Sequence, residues 1–186
     1  EVYNAYSTDG STTKGEIIIN TDNIGYGITA GVDASPDIDA HNAYGKGAIG
    51  RIICNGSCIA VGGNAGSNGY NGGHGYIEIN VDKDNGKAFG VSSSYHGNGI
   101  GKDSVGEIFI NMKGKDGTAT GAGGQNGSID GGIGTITIND TGGSNITGLI
   151  YGGNHKGSSI NITSVANNDK TIIGQKAGKD SPLAPV

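Results

Sequence analysis

One hexad recurs along almost the whole chain: glycine, any residue, isoleucine, any residue, isoleucine, asparagine. It runs from Gly15 to Asn20, Gly50 to Asn55, Gly75 to Asn80, Gly106 to Asn111 and Gly134 to Asn139, with Cys54 in place of one isoleucine. A degenerate sixth copy, shifted by one residue, spans Gly157 to Thr163. Successive copies begin 35, 25, 31, 28 and 23 residues apart. Spacing this irregular excludes short rigid repeats and suits coils whose loops differ in length. Within each copy the apolar residues alternate, which is the period of a half-buried strand. Ile17 and Ile19, Ile52 and Cys54, Ile77 and Ile79, Ile108 and Ile110, and Ile136 and Ile138 are therefore expected to face one core.

A second, smaller segment follows each hexad after a turn, at Gly27 to Ala30, Ile59 to Val61, Phe89 to Val91, Ala119 to Ala122, Gly148 to Ile150 and Thr171 to Ile173. Small-residue corners such as Gly62-Gly63-Asn64 and Gly152-Gly153-Asn154 come next, and a third apolar touch precedes three hexads at Ile49, Val105 and Ile133. Three short strands per coil point to an all-β, single-domain parallel β-helix, or β-solenoid, of about six irregular coils. Residues 1–14 read as an N-terminal cap or lead-in, 15–178 as the solenoid and 179–186 as a tail or linker. A β-sandwich also offers short alternating strands but gives no reason for the same hexad in every turn.

Stacked coils lie about 4.8 Å apart, so each repeat position becomes a column along the axis. Asn20, Asn55, Asn80, Asn111 and Asn139 are expected to form an amide ladder at one corner, with glycine freeing other corners from the Cβ penalty. On this reading Asn111→Ala destabilises the fold more than alanine at Asn98, which is placed in a loop.

The pattern resembles the glycine-rich β-helical repeats of bacterial secreted and surface proteins, autotransporter passengers and large adhesins among them. The likeness rests on Gly132 to Asn139 with the following Thr141-Gly142-Gly143, and on the looser copies from Gly15 to Thr163. It implies adhesion, display or scaffolding, and an extracellular or cell-surface location.

Composition narrows the alternatives. Glycine supplies 39 of 186 residues, yet only 3 prolines and no sustained Gly-x-y triplet exclude collagen. Charged residues make up 16 %, too few for a self-repelling disordered chain. A net charge of -5 disfavours nucleic acid as a partner. No apolar run approaches the ~20 residues of a membrane helix. The first residues do not have the shape of a signal peptide, so Glu1 reads as a mature or trimmed end.

The candidate sites are few. Cys54 and Cys58 flank a short turn, and a disulfide is expected there in preference to two reduced packing thiols. His41, His74, His96 and His155 fall in glycine-rich connecting segments; His96 and His155 are the weak catalytic candidates if loops bring them together. Asp33, Asp37 and Asp39 are weak calcium ligands, and Asp37 with Asp39 a weak carboxylate pair for polysaccharide cleavage. A solvated turn is the plainer reading of that cluster. Sequons begin at Asn55, Asn126, Asn139, Asn145 and Asn161. No cofactor motif is present in the sequence.

The outward columns place Glu16 beside Arg51, with Glu78 diagonal to the arginine, so Arg51 reads as a register and solubility device. Ile18, Ile53 and Phe109 share that face and read as an interface strip. The leading function is a non-enzymatic scaffold, stalk or adhesive module with a carbohydrate or a host-surface protein as partner, or self-association through the outward face. A polysaccharide-processing β-helix enzyme is the alternative. An ice-binding solenoid is the second alternative, disfavoured by the mixture of Ile18, Ile53, Glu78, Phe109, Thr137 and Asn161 where a threonine array is required.

Overall fold

A computed structural model describes residues 2–22, 24, 40–66, 71–92 and 97–175. The chain winds as a β-solenoid. The first coil holds β1 (Val2–Tyr6) and β2 (Thr13–Asn20), and the second β3 (Ala40–Tyr44), β4 (Ala48–Asn55) and β5 (Cys58–Val61). The third holds β6 (Gly63–Ala65), β7 (His74–Val81) and β8 (Lys87–Val91), and the fourth β9 (Val105–Met112) and β10 (Thr118–Ala122). The fifth carries β11 (Ile133–Asp140) and β12 (Asn145–Leu149), and the last β13 (Ser159–Ser164) and the short β14 (Ile172–Ile173).

These strands stack into three parallel sheets, ordered β13-β11-β9-β7-β4-β2, β14-β12-β10-β8-β5 and β1-β3-β6. The second to fifth coils contribute full strands to both long sheets, so about four complete turns are flanked by shorter ones. β1 pairs with β3, which makes the segment before Gly15 a strand of the first coil. On the third side, among the described residues, coils four to six carry the single bridges Asn98 to Asn126 and Asn126 to Asn154.

The hexads stack in register from Gly15 against Gly50 through Gly106 against Gly134. Their isoleucines form the core: Ile52, Ile77, Ile79, Ile108, Ile110, Ile136 and Ile138 have no exposed surface. β-branching suits these positions, since one rotamer satisfies both the pleat and the neighbours above and below. Facing them across the interior are the small residues of the second long sheet, Ala88, Ala119 and Ala122, with Leu149.

Corner glycines such as Gly45, Gly99 and Gly152 adopt the positive φ expected of them, whereas the hexad glycine has another role. None of Gly15, Gly50, Gly75, Gly106 and Gly134 adopts a positive φ. Each lies against an asparagine of the preceding side, half-buried for Gly15 and fully buried for the other four: a Cβ on Gly134 would stand 2.0 Å from Asn126 Oδ1, and one on Gly106 2.2 Å from Asn98 Oδ1. Glycine is required by close approach, not by a corner conformation.

Two expectations are corrected. Ile49, Val105 and Ile133 lie on the outward side of β4, β9 and β11, with Ile49 and Ile133 exposed, because they continue the outward half of the strand alternation. The third side is built instead by β1, β3, β6 and the asparagine bridges. Cys54 and Cys58 are free thiols, not a disulfide. Both are buried in the core, Cys54 next to last in β4 and Cys58 opening β5, and the Cys54 thiol donates to the Gly56 carbonyl at 3.7 Å. The hydrogen bond with Cys54, reinforced by burial, pushes the Cys58 thiol up, and the same bond lowers Cys54; both side chains pack as small groups of the core.

Candidate functional site

Six parallel strands give the long sheet an outward face on which every second residue of each strand forms a column. One column runs Glu16, Arg51, Tyr76, Glu107, Thr135 and Ser159, and its neighbour Ile18, Ile53, Glu78, Phe109, Thr137 and Asn161. The expected Glu16 to Arg51 ion pair is present. Its carboxylate, through the hydrogen bond to Glu16, raises the Arg51 guanidinium above its ordinary range, which leaves it a fixed cation.

The face is aromatic at its centre. The Arg51 Cζ lies 5.9 Å from the centroid of the Tyr76 ring. Tyr76 in turn meets Phe109 of the next coil with ring centroids 5.4 Å apart and planes inclined by 36°. The expected apolar strip is thereby modified: Ile18 is exposed, but Ile53 and Phe109 are half-buried, and Glu78 separates them. Phe109 belongs to an aromatic pair because Tyr76 sits diagonally across the strands, a position that a single column does not reveal.

Glu78 ties the aromatic centre to the asparagine ladder. Its two carboxylate oxygens accept from Asn80 Nδ2 at 2.8 Å and from Tyr76 Oη at 2.7 Å. Those bonds, Asn80 first, hold Glu78 below the usual glutamate range, while burial together with the bond to Glu78 pushes Tyr76 up to about 12. At neutral pH this is an ionised acceptor locked between two donors, unsuited to a proton-transfer role.

The outer ladder is present as expected. Asn55 donates to Asn20, Asn80 to Asn55, Asn111 to Asn80 and Asn139 to Asn111, at 2.8 to 3.2 Å. Beside it lies a groove of about 680 Å³ whose floor includes Asn20, Asn55 and Asn80. Its rim carries two compensated pairs, Lys83 with Asp22 at 3.6 Å and Lys113 with Asp82 at 3.0 Å. Asn55 and Asn111 each spend one N–H and one lone pair within the ladder, whereas Asn80 spends both N–H groups, one on Asn55 and one on Glu78. The groove therefore joins the ladder amides of its floor to a rim whose charges are paired.

A second ladder, buried and missed by the sequence reading, runs on the opposite flank of the same sheet. Asn4 donates to Asn42, Asn42 to Asn64, Asn64 to Asn98, Asn98 to Asn126 and Asn126 to Asn154, at 2.7 to 2.9 Å. Asn42, Asn64, Asn98 and Asn126 have no exposed surface, and each also donates to a backbone carbonyl of the long sheet. Asn98 is thus a core residue, which overturns its placement in a loop, and Asn126 is too buried to be a sequon acceptor in the folded chain. The available signal was an asparagine eight residues ahead of the hexad glycine, at Asn42, Asn98 and Asn126; it lengthens to eleven at Asn4 and Asn64 and so escapes a periodicity search.

The remaining candidates disperse. His74 opens β7 and pairs with Glu107 at 2.6 Å on the outward face. His41 lies within β3, buried among Tyr3 and Tyr44 with ring centroids 5.8 and 4.8 Å away, not in a connecting segment. His155 is buried, with Nε2 3.3 Å from Gln125 Oε1, and burial lowers its pKa. Asp33, Asp37, Asp39 and His96 lie outside the described residues. Among the described residues no group of three or more His, Cys, Asp or Glu is placed to hold a metal ion, and no helix is long and apolar enough to cross a membrane.

Compared with known proteins, the chain matches no family model, no curated protein and no solved structure.

Proposed function

We propose that the chain is a non-enzymatic β-solenoid module of an extracellular or cell-surface protein, a scaffold that presents the outward face of its long sheet as a carbohydrate-binding surface. One observation carries this reading: the Tyr76 and Phe109 rings, braced by Arg51, adjoin the Glu78 and Asn80 hydrogen-bonding pair and the charge-balanced amide groove. A sugar ring has apolar C–H faces and a rim of hydroxyls that both donate and accept. Half-exposed rings suit the faces, and fixed carboxylate and amide groups suit the rim. The resemblance to glycine-rich coils of secreted and surface proteins supports the location.

The stacked backbone fixes these groups before any ligand arrives, which lowers the ordering cost of binding. A glycan array read together with a reducing-sugar assay tests the proposal. The expected result is retention of one or more glycans without release of reducing ends, weakened about tenfold by Tyr76→Ala, the loss of about 1.4 kcal/mol of ring contact. Cleavage of a bound glycan assigns the chain to the polysaccharide-processing class instead. Capture of proteins but no glycan, or glycan retention indifferent to Tyr76→Ala, overturns the carbohydrate assignment.

A further inference from the structure

Among the described residues, both ends of the solenoid are open in the same way. Ile17 and Ile19 in β2, and Ile160 and Ile162 in β13, are only half-buried, whereas the isoleucines in the same columns between them are fully enclosed. β2 and β13 are also the outermost strands of the long sheet, so each presents one row of backbone N–H and C=O groups without a strand beside it among the described residues. At the last coil the opening is a cavity of about 550 Å³, bordered by Asn154, Ser159, Ile160 and Gly174.

The buried ladder gives these ends opposite polarity. Every amide in it donates toward the last coil, from Asn4 through Asn126. Among the described residues nothing donates to Asn4 Oδ1, and Asn154 Nδ2 has no acceptor, so the chain shows an acceptor at its first coil and a donor at its last. The outer ladder runs the other way, with each amide donating toward Asn20. Two first coils brought together would set acceptor against acceptor on the buried side; a first coil against a last coil matches donor to acceptor.

We propose that the chain stacks end to end with a second copy of itself, the coil of Asn154 and β13 receiving the coil of Asn4 and β2. The register then continues the one within the chain. Ser159 lies beside the incoming Glu16, Ile160 beside Ile17, Asn161 beside Ile18 and Ile162 beside Ile19, about 4.8 Å apart. Asn154 Nδ2 meets the incoming Asn4 Oδ1. Such a contact is heterologous and related by a displacement along the axis, so it does not close and extends into a filament. Tyr76 and Phe109 lie in inner coils and stay on the open side, so the stacking is independent of the binding face.

Sedimentation of the full chain and of two end-blocked variants tests this. Ile17→Lys sets a charge on the first coil and Ile162→Lys one on the last. The unmodified chain is expected to give a concentration-dependent series of species, each variant alone a monomer, and an equimolar mixture of the two a dimer that grows no further. To guard against loss of an end coil in the lysine variants, Ile18→Cys and Asn161→Cys place thiols on exposed outward positions that the register sets side by side, within disulfide reach. Oxidation of those two variants mixed is expected to give a crosslinked dimer, and Lys14→Cys in place of Ile18→Cys is expected to give none. A chain that stays monomeric from micromolar to millimolar concentration, a lysine variant that dimerises alone, or a mixed cysteine pair that fails to crosslink overturns the proposal.

Discussion

Alanine at Asn98 is expected to be among the most damaging substitutions of a polar residue in this chain. The side chain is fully buried; its Nδ2 donates to Asn126 Oδ1 at 2.9 Å and to the Thr135 carbonyl at 3.2 Å, and its Oδ1 accepts from Asn64 at 2.7 Å. Truncation removes three hydrogen bonds and leaves Asn126 Oδ1 and one Asn64 N–H inside without water. At about 1 kcal/mol per bond lost, and more where a buried partner is stranded, the cost is about 3 kcal/mol. For a chain of this length that lowers Tm by roughly 6–12 °C. Asn111 makes analogous bonds in the outer ladder, but it is half-exposed and water replaces them, so Asn111→Ala costs at most about 1 kcal/mol. Thermal unfolding followed by circular dichroism, with urea midpoints as a second measure, ranks the two. Equal losses, or a larger loss for Asn111→Ala, would refute the claim that burial separates the ladders.

Three further outcomes follow from the packing. Gly134→Ala sets a Cβ 2.0 Å from Asn126 Oδ1 and is expected to cost about 3 kcal/mol or more, while Gly174→Ala, with nothing within 4 Å, stays near neutral; urea titration showing both alike would remove the close-approach account of the hexad glycine. Ile136→Ala in the core is expected to cost roughly 2–5 kcal/mol and the outward Thr137→Ala well under 1 kcal/mol, and equal Tm shifts would break the register. Burial depresses the pKa of His155, so the unfolded chain binds its proton more readily; the neutral ring's contribution is whole above about pH 6.5 and falls away as pH drops toward the folded value. Comparing Tm between pH 8 and pH 5 for the native chain and His155→Gln is expected to show a shallower acid loss in the variant, and parallel curves would discount His155 as a source of the loss.

The hexad determined a great deal by itself. Alternation within Gly-x-Ile-x-Ile-Asn is a local property, so it specifies strand, inward face and outward face without any knowledge of neighbours. Recurrence of the same hexad then specifies the stacking, because in-register parallel strands turn every repeat position into a column. The isoleucine core, the outer ladder of Asn20 to Asn139 and the Glu16 to Arg51 pair were all legible for that reason. What the columns did not contain was left to the tertiary structure. The buried ladder draws its asparagines from segments whose distance to the hexad varies, so only the closed coil brings Asn42, Asn64 and Asn98 into line. The aromatic pair of Tyr76 and Phe109 is diagonal, joining two columns and two coils. The state of Cys54 and Cys58 likewise depended on where the turn between β4 and β5 places both thiols, which is inside the core. Periodicity reports what repeats along the chain, whereas contacts between unequal loops depend on the path that closes each coil.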